Sequence, residues 1–266
     1  MNAYFNGQPL MHTSARSLLN RGFRYGDGLF ETMLFSEKKL WPLHFSRLKS
    51  GAEILQIDLP TEWDEQLNFL SAFVPNKGED SLIRLFLHRK PGGLYVPEQA
   101  TSDWLLTVEP YTTSLKTIKL CAIAETVQLH WQPYSFAKTL SGLPYVLAGQ
   151  EKKKRALDDL ILLNNDGYIA EASSSNLFWY SKGHWKTPSL KSGCIAGVRR
   201  AQILELFAQH EILVYEGLFV PEELNEAQLI FACNIKGIRP LQYWNGRMLN
   251  LDLPHFISDA IPLPVL

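Results

Sequence analysis

One lysine in this chain stands in a setting that could make its amine reactive. Lys138 follows Phe136 and Ala137 and precedes Leu140, so its neighbours along the chain are apolar or small. An amine that serves as a nucleophile or a base must be neutral part of the time, and burial favours the neutral form. Taken alone, a lysine beside apolar residues is more typical of a surface side chain whose stem packs while its amine stays in water. Lys138 therefore needs further residues around it before it becomes a catalytic candidate.

A single carboxylate, Glu171, follows Lys138 after a helix-like run and a predicted β-hairpin. The turn of that hairpin is Asn164-Asn165-Asp166-Gly167, and Tyr168–Ala172 is predicted to run back as the second strand. The spacing alone fits a carboxylate of a functional site and an exposed strand residue equally well. Lys138 and Glu171 are thus a candidate pair that the fold has to position.

The elements that would position this pair are predicted as two blocks. In the first block the apolar positions between His44 and Ile57 recur at helical spacing. Further elements predicted there are a hairpin at Phe5–Gln8, a hairpin from Leu29–Ser36 back through Leu40 and Trp41, a helix at Thr61–Leu70, and strands at Ser81–Leu87 and Trp104–Val108. Strands mixed with two helices indicate a small α+β domain, which we place at residues 1–115.

The second block, residues 116–266, is predicted as a larger domain of mixed α/β structure. Its first strand is expected at Thr117–Ala124, and the irregular segment 125–137 could link the two domains. Helices are predicted at Tyr145–Leu157 and Val198–Gln209, and strands at Asp159–Leu163, Asn176–Tyr180, His184–Lys186, Ile212–Tyr215, Leu229–Cys233 and Leu241–Leu249, the last folding back at Asn245-Gly246. Overall the pattern predicts a two-domain α+β protein.

The bulk composition excludes several classes of protein. The chain has 266 residues, 46% of them hydrophobic, and a net charge of −1. The basic run Lys152–Arg155 is flanked by acidic residues, and the overall charge shows no basic footprint, so we expect no nucleic-acid partner. The three cysteines Cys121, Cys194 and Cys233 are too scattered for a disulfide framework or a zinc site, and we predict no metal.

The amino terminus and the hydropathy pattern bear on location. Residues 1–7 lack the basic start and apolar core of a secretory signal. No apolar run reaches the length that crosses a bilayer. We therefore expect a soluble cytoplasmic protein without a membrane partner.

Several longer motifs extend over nearly the whole chain. They are Arg21-Gly22-Phe23-Arg24-Tyr25-Gly26-Asp27-Gly28-Leu29-Phe30-Glu31-Thr32, His44-Phe45-Ser46-Arg47-Leu48, Phe136–Leu140, Tyr168–Phe178, Gly197–Arg200 and Ala232–Pro240. Together they resemble the motifs of the fold type IV pyridoxal-phosphate (PLP) enzymes, a family that includes branched-chain aminotransferases, D-amino-acid aminotransferases and aminodeoxychorismate lyases. The resemblance implies the two-domain fold of the D-amino-acid aminotransferase type, PLP as cofactor and a homodimer.

The resemblance also implies roles for individual residues. Lys138 would be the catalytic lysine that binds PLP covalently, and Glu171 would pair with the ring nitrogen. Arg47 would hold the phosphate, because a guanidinium fork suits a dianion, although a lone arginine there is more typical of an exposed helix face. The backbone N–H groups of Val198 and Arg199 at a helix start, together with Asn234, would complete the phosphate site.

The substrate implied by the resemblance is a small molecule with an amino group. Asn234, Gly237, Ile238 and Pro240 match the pattern Asn-x-x-Gly-Ile-x-Pro of the lyases, which convert 4-amino-4-deoxychorismate to p-aminobenzoate and pyruvate in folate synthesis. The alternative is an aminotransferase for a branched-chain or D-amino acid with a 2-oxo acid acceptor. The loop 89–95 lacks the Arg-x-His pattern of D-amino-acid aminotransferases, which argues against that member.

Two departures from the family pattern bear on specificity. Asn20 stands where the family often has aspartate, and Ser141-Gly142 stands where lyases often have asparagine and a bulky residue. The second departure lies beside Lys138 and therefore concerns the substrate and not the use of the cofactor. The choice between lyase and aminotransferase stays open, as does the tyrosine that would contact the cofactor. The candidates for that contact are Tyr25, Tyr95, Tyr134 and Tyr145.

Overall fold

The computed structural model describes residues 20–61, 63, 70, 72–73 and 80–264, and the backbone of two short strands at 2–5 and 8–9. The chain divides into two compact units. The first comprises Met1–Thr112 and Ala137–Gly142, and the second comprises Thr113–Phe136 and Leu143–Leu266. This division falls close to the predicted boundary at residue 115 but differs in one respect. The short segment with Lys138 returns to the first unit, which a single cut of the sequence could not express.

The first unit is built on one antiparallel sheet in the order β2-β1-β5-β4-β3. Its strands are β1 (Asn2–Phe5), β2 (Gln8–Pro9), β3 (Gly28–Leu34), β4 (Ser81–Arg89) and β5 (Ser102–Pro110), and its helices are α1 (Arg21–Tyr25) and α2 (Trp41–Leu55). Helix α2 buries Phe45, Leu48 and Ala52, the residues whose spacing predicted it. A Cβ at Gly51 would lie 3.1 Å from the Leu29 methyls, so glycine there permits a close approach of α2 to β3.

The predicted hairpin from Leu29–Ser36 through Leu40 and Trp41 is wrong in its second half. Strand β3 is present, but Phe35–Leu40 forms 3₁₀ turns and Trp41 begins helix α2. Pro42 lies in the first turn of that helix, where its missing N–H costs nothing. The Trp41 indole is fully buried, and its Nε1 donates to the carbonyl of Leu34 at 3.1 Å. Burial of this ring favours a helix from Trp41 onward over the predicted second strand.

Two other predictions fall partly outside the described residues. Most of the helix predicted at Thr61–Leu70 lies outside them. At the predicted Phe5–Gln8 hairpin, β1 and β2 pair antiparallel with Phe5 opposite Gln8, as predicted, while the turn residues themselves are not described.

The second unit contains two larger sheets and a small hairpin. The five-stranded sheet has the order β11-β10-β9-β12-β13, the three-stranded sheet the order β6-β7-β8, and β14 pairs with β15. The strands are β6 (Cys121–Leu129), β7 (Asp159–Asn164), β8 (Ile169–Ala172), β9 (Asn176–Ser181), β10 (His184–Pro188), β11 (Val214–Gly217), β12 (Leu229–Asn234), β13 (Gly237–Pro240), β14 (Tyr243–Trp244) and β15 (Arg247–Met248). Both larger sheets mix parallel and antiparallel pairs, so the predicted α+β class is confirmed.

The helices of the second unit are α3 (Leu143–Lys154), α4 (Val198–Gln209) and α5 (His255–Ser258). Helix α4 has the predicted bounds. Helix α3 begins two residues before its predicted start, at Leu143, because Pro144 fits a first helical turn. Ala156, with φ of 52°, ends its continuation before Leu157. No helix among the described residues is long and apolar enough to cross a membrane.

The segment 125–137 was expected to be an irregular linker, but its first five residues belong to a strand. Strand β6 continues through Leu129, with an irregularity in its pairing to β7 between Ile123 and Gln128. Glu151 on α3 accepts hydrogen bonds from the backbone N–H groups of Glu125 and Thr126 at 2.9 and 3.0 Å. A side chain distant in sequence thus supplies the acceptors that the irregular strand needs, which local sequence patterns do not reveal.

Candidate active site in two parts

Lys138 belongs to the first unit because its backbone extends the sheet beyond β3. The N–H of Phe30 donates to the Lys138 carbonyl at 2.8 Å, and the N–H of Leu140 donates to the Gly28 carbonyl at 2.9 Å. This register places Lys138 opposite Phe30, and the Lys138 Nζ lies 4.2 Å from the centroid of the Phe30 ring. An ammonium over an aromatic face is attracted by the ring quadrupole. Strand β3 therefore fixes both the backbone and the amine of the candidate nucleophile.

The glycines of the first motif make this pairing possible. Gly26 ends α1 with φ of 68°, a left-handed conformation that favours glycine. A Cβ at Gly26 would clash with Ser141 Oγ, and a Cβ at Gly28 would clash with the carbonyl of Leu87. The glycines of the motif therefore allow the segment after Lys138 to pack closely against Gly26 and Gly28.

Asp27 joins two arginines that the motif and its neighbouring loop supply. Its Oδ2 accepts from Arg21 Nε at 2.7 Å and from Arg89 Nε at 3.0 Å. Arg89 also donates to the carbonyls of Leu55 and Gln56, both at 2.7 Å, and is buried. All three guanidinium nitrogens of Arg89 are thus occupied within the fold. The Arg89 side chain therefore stabilises the fold of this unit, and the argument against a D-amino-acid aminotransferase stays a prediction.

Behind β3, a buried cluster of three charged or polar side chains holds the predicted phosphate-binding arginine. Glu31 Oε1 accepts from Arg47 Nε at 2.8 Å, and Glu31 Oε2 accepts from Arg47 Nη2 at 2.5 Å and lies 2.7 Å from His44 Nδ1. Burial raises the pKa of Glu31, but the charge of Arg47 and the hydrogen bond from His44 outweigh it and lower this pKa to about 2. Glu31 is thus ionised at neutral pH and orients the Arg47 fork from one side.

His44 completes the cluster as a neutral residue. Burial lowers its pKa, an effect that the hydrogen bond to Glu31 opposes and the charges of Arg47 and Lys138 reinforce. Neutral His44 then donates its Nδ1 proton to Glu31 and leaves Nε2 as an acceptor. That Nε2 is buried and has no hydrogen-bond partner within the described part of the chain. The predicted phosphate role of Arg47 stays a prediction, and the structure adds the two residues that hold it in place.

In the second unit, Glu171 is buried on β8 and accepts hydrogen bonds at both carboxylate oxygens. The Tyr145 hydroxyl donates to its Oε1 at 2.6 Å, and the Ile195 N–H and Asn176 Nδ2 donate to its Oε2 at 3.2 and 3.3 Å. Burial and the charge of Glu171 raise the pKa of Tyr145 well above its usual range, so its phenol keeps its proton. The alternative of an exposed strand residue is excluded, since Glu171 is only 3% exposed.

The start of α4 is held beside Glu171 by Asn176. Asn176 Nδ2 donates to the Ile195 carbonyl at 2.8 Å. Gly197 is the residue before the first turn of α4, and a Cβ there would clash with Asn176 Oδ1. Glycine also has no side chain with which to cap the helix, and the N–H groups of Val198 and Arg199 lie in its first turn. An anion at this helix start would be favoured by those N–H groups and by the helix dipole.

The Arg199 side chain donates hydrogen bonds to two backbone carbonyls. Its Nη2 donates to the Ile235 carbonyl at 2.8 Å and its Nε to the Asn234 carbonyl at 3.4 Å. Asn234 in turn donates through Nδ2 to Ser175 Oγ at 3.1 Å and to the Ser174 carbonyl at 3.2 Å. Of the residues predicted in this unit, Arg199 and Asn234 are thus joined by hydrogen bonds, and Glu171 is bonded to Asn176 and to the Ile195 N–H. Their contacts with a cofactor stay predictions.

Four residues of these networks were missed as site residues or left open by the sequence. Glu31, His44 and Asn176 lie within the recognised motifs but were given no role, and Tyr145 was one of four tyrosines considered. A signal existed for His44, which stands one helical turn before Arg47 and hence on the same face of α2. For Tyr145 the sequence offers no such signal, because its partner lies on another element.

Comparison with known proteins identifies a matching family model and several similar enzymes. The family model described as amino-transferase class IV matches residues 28–244. An aminodeoxychorismate lyase from Vibrio harveyi is 27% identical over 263 residues, which are 94% of this chain and 94% of that protein. A Methanocaldococcus jannaschii protein with the provisional name of branched-chain-amino-acid aminotransferase is also 27% identical, over 94% of this chain and 90% of its own.

A solved structure shows the same fold. The crystal structure of 4-amino-4-deoxychorismate lyase from Pseudomonas aeruginosa superimposes with a TM-score of 0.80 at 26% identity, covering 94% of this chain and 94% of that one. The likeness extends over both units and confirms the fold class that the motifs predicted.

Proposed function

The chain belongs to the class IV aminotransferase family, and on that premise we propose that it is a lyase that converts 4-amino-4-deoxychorismate to p-aminobenzoate and pyruvate. Enzymes of this family depend on PLP. The observation that carries the choice of the lyase is the tight β12–β13 hairpin, in which Asn234 pairs with Gly237. Gly237 has φ of 141°, and a Cβ there would clash with the Pro262 carbonyl, while Ile238 is fully buried. The packing of this hairpin therefore requires the Gly and the Ile of the lyase-type pattern Asn-x-x-Gly-Ile-x-Pro.

The residues present fit PLP by the chemistry of their donors and acceptors. The second unit offers a buried carboxylate, Glu171, for a protonated ring nitrogen, and an uncapped helix start at Val198 and Arg199 for a phosphate. The first unit offers the amine of Lys138 and the guanidinium of Arg47. When bound, PLP supplies an aldehyde that condenses with amines and a ring that accepts electrons from the substrate.

Lys138 is the residue we assign to covalent attachment of the cofactor and to proton transfer. Its Nζ is held over the Phe30 ring, and the strand-like pairing with β3 fixes its backbone. Once the substrate amine has replaced it, the Lys138 amine takes the proton from the substrate carbon that carries the amino group. A neutral amine is required for this step.

The other residues would hold and orient the cofactor. Glu171 keeps a proton on the ring nitrogen through its charge, and Asn176 and the Ile195 N–H keep Glu171 in place. Arg47, the N–H groups of Val198 and Arg199, and Asn234 hold the phosphate. In the lyase, loss of the enolpyruvyl group then yields an aromatic ring, which makes the release of pyruvate and p-aminobenzoate strongly favourable.

The test is an assay of the protein purified with added PLP. We expect p-aminobenzoate and pyruvate to form from 4-amino-4-deoxychorismate in equal amounts and over many turnovers, and Lys138→Ala to abolish both. Lys153→Ala, which alters an exposed lysine on α3, is the matched control and should keep full activity. If no product forms while an amino acid converts the bound cofactor to pyridoxamine phosphate, the lyase assignment is wrong.

An aminotransferase is the second candidate, and one specific observation favours it. The Methanocaldococcus jannaschii protein named for branched-chain amino acids is as similar in sequence as the Vibrio harveyi lyase. In this function the same residues would act, and Lys138 would give the proton back without any loss of pyruvate. A branched-chain substrate is favoured over a D-amino acid, because Arg89 is committed to Asp27, Leu55 and Gln56. Incubation with single amino acids and 2-oxoglutarate distinguishes these substrates.

We also propose that the enzyme acts as a homodimer in the cytoplasm, as the sequence predicts. Light scattering coupled to size-exclusion chromatography checks the dimer, and a mass near the 30.3 kDa of one chain would contradict it.

A further inference from the structure

We propose that Tyr145 is a positioning residue that controls the charge of Glu171 through its hydrogen bond, and thereby sets the protonation of the cofactor's ring nitrogen. The inference rests on the proposed PLP dependence but is independent of the choice between lyase and aminotransferase. It assigns a role to a phenol that is hydrogen-bonded to the candidate active-site carboxylate.

The first observation is the geometry of the bond. Tyr145 Oη lies 2.6 Å from Glu171 Oε1, a length typical of a hydroxyl that donates to an ionised oxygen. Tyr145 stands in the first turn of α3, and its ring packs against a buried cluster that includes Ala148, Leu160 and Cys194. Helix α3 is fixed further along by Glu151, which accepts from the backbone of β6. The phenol is thus held by packing in the direction of Glu171.

The second observation is the identity of the other donors. Oε2 of Glu171 accepts from the Ile195 N–H and from Asn176 Nδ2, at 3.2 and 3.3 Å, which are longer than the bond from Tyr145. All three donors are neutral. They stabilise the ionised carboxylate without neutralising it, and the shortest of the three bonds contributes most. The charge of Glu171 therefore depends on Tyr145 more than on either partner of Oε2.

The consequence concerns a proton shared by two groups. A carboxylate and a ring nitrogen in contact exist either as an ion pair, with the proton on nitrogen, or as a neutral pair, with the proton on oxygen. Hydrogen bonds to the carboxylate favour the ion pair, because they stabilise the charged oxygen. Removal of the Tyr145 hydroxyl shifts the pair toward the neutral form, and the ring then withdraws electrons less strongly.

The experiment compares Tyr145→Phe with the wild type, each loaded with PLP labelled with ¹⁵N in its ring. We expect the nitrogen resonance of the variant to move from the pyridinium position toward that of neutral pyridine. We also expect cofactor affinity to fall about tenfold, the effect of losing one hydrogen bond to a charged group. Tyr243→Phe, which removes the phenol oxygen of an exposed tyrosine on β14, is the matched control and should leave both readings unchanged.

A second replacement tests the sign of the effect and does not depend on the stability of Tyr145→Phe. Incorporation of 3-fluorotyrosine at position 145 makes the phenol a stronger donor of nearly the same size. The resonance should then move in the opposite direction, toward pyridinium. Packing effects alone would not reverse the direction between the two replacements.

Three results would overturn the inference. An unchanged nitrogen resonance in Tyr145→Phe would show that the phenol does not influence the ring nitrogen. An unchanged resonance with an altered pH titration of the visible absorption band would assign Tyr145 to the phenolic oxygen of the cofactor instead. If the wild type itself takes up no PLP, the proposed function fails and this inference fails with it, whereas normal uptake with no shift refutes this inference alone.

Discussion

Two buried glutamates, Glu31 in the first unit and Glu171 in the second, have the same exposure and opposite surroundings. They are 2% and 3% exposed. Glu31 forms a two-pronged ion pair with Arg47 and accepts a hydrogen bond from His44, whereas Glu171 accepts from a phenol, a backbone N–H and a side-chain amide. Cationic and neutral donors have different consequences, because an ion pair cancels the charge of a carboxylate and a neutral donor only stabilises it.

The comparison separates two functions that a buried carboxylate can have. The charge of Glu31 is paired with Arg47. Glu31 would therefore influence an anion site through its effect on the position of that arginine. The hydrogen bonds that Glu171 accepts stabilise its ionised form. That carboxylate would then attract a cation such as a protonated ring nitrogen. We therefore expect the loss of Glu31 to appear first in stability and the loss of Glu171 to appear first in catalysis.

The largest effect is expected from Lys138, the residue proposed to bind the cofactor covalently. Lys138→Ala removes the attachment point and the base, so turnover should fall by at least about 10³-fold in the lyase and the aminotransferase assay alike. The fold should tolerate the change, because only the side chain over Phe30 is lost and the backbone pairing with β3 stays. Steady-state kinetics and PLP absorbance measure the two quantities. Turnover within tenfold of the wild type would refute the assignment of Lys138.

The second effect in size is the loss of stability in Glu31→Gln. Breaking one partner of a buried ion pair costs about 3–5 kcal/mol, because the other charge stays buried without compensation. The pKa of Glu31, lowered from 4.5 to about 2, gives an independent figure of about 3 kcal/mol. Urea unfolding at neutral pH should show a loss of this order.

The pH dependence gives the sign of this contribution. A carboxylate whose pKa is lowered by folding stabilises the folded state above its unfolded pKa and loses that contribution as the pH falls. The difference between the wild type and Glu31→Gln should therefore be complete above about pH 5 and shrink as the pH falls toward 2. Glu109→Gln is the control, since Glu109 pairs with Arg84 on the same sheet with both side chains about one-third exposed. Its effect should stay below about 1 kcal/mol.

The third prediction concerns Glu171→Gln and sharpens the contrast with Glu31. The variant keeps an acceptor for Tyr145 or Asn176 but removes the charge, so turnover should fall about 10²-fold, the effect of removing one preorganised electrostatic group. The free energy of unfolding should change by about 1 kcal/mol, the worth of one neutral hydrogen bond. A loss of stability as large as that of Glu31→Gln, with turnover preserved, would contradict the proposed difference between the two glutamates.

Much of the fold could be predicted from local patterns, and the exceptions have a common cause. Helix α4 has the predicted bounds, and the turn before Glu171 forms as predicted because Asn164 Oδ1 accepts from the backbone of Asp166 and Tyr168. The strand expected at Leu40 and Trp41 failed because burial of the indole outweighed the alternation of side chains. The return of residues 137–142 to the first unit was not predicted, because pairing with a distant strand leaves no local pattern in the sequence.

The candidate site shows the same limit at the level of single residues. The resemblance supplied Lys138, Arg47 and Glu171, each of which carries a distinctive side chain at a motif position. It could not supply the partners of these residues, because Tyr145 on α3 and Glu171 on β8 lie on different elements and meet only in the folded chain. Sequence motifs therefore identify the groups that do chemistry more readily than the groups that tune them.

The smallest predicted effect tests whether the start of α4 is shaped by Asn176. Gly197→Ala places a methyl group against Asn176 Oδ1, and Asn176 must then shift away from Glu171 and from the Ile195 carbonyl. We expect a loss of about 1–2 kcal/mol in stability from this overpacking. Weaker PLP binding should accompany it, measured by equilibrium titration of the apoprotein.

Gly149→Ala is the matched control, because the same methyl group added there meets no atom within 4 Å. Gly149 lies inside α3, where alanine is favoured over glycine by up to about 1 kcal/mol. Opposite signs of stability change for one chemical substitution would show that contact with Asn176, and not the loss of a glycine, causes the damage at Gly197. If Gly197→Ala binds PLP as tightly as the wild type, then Asn176 does not set the geometry of the helix start, and the link between Glu171 and the anion site through Asn176 is refuted.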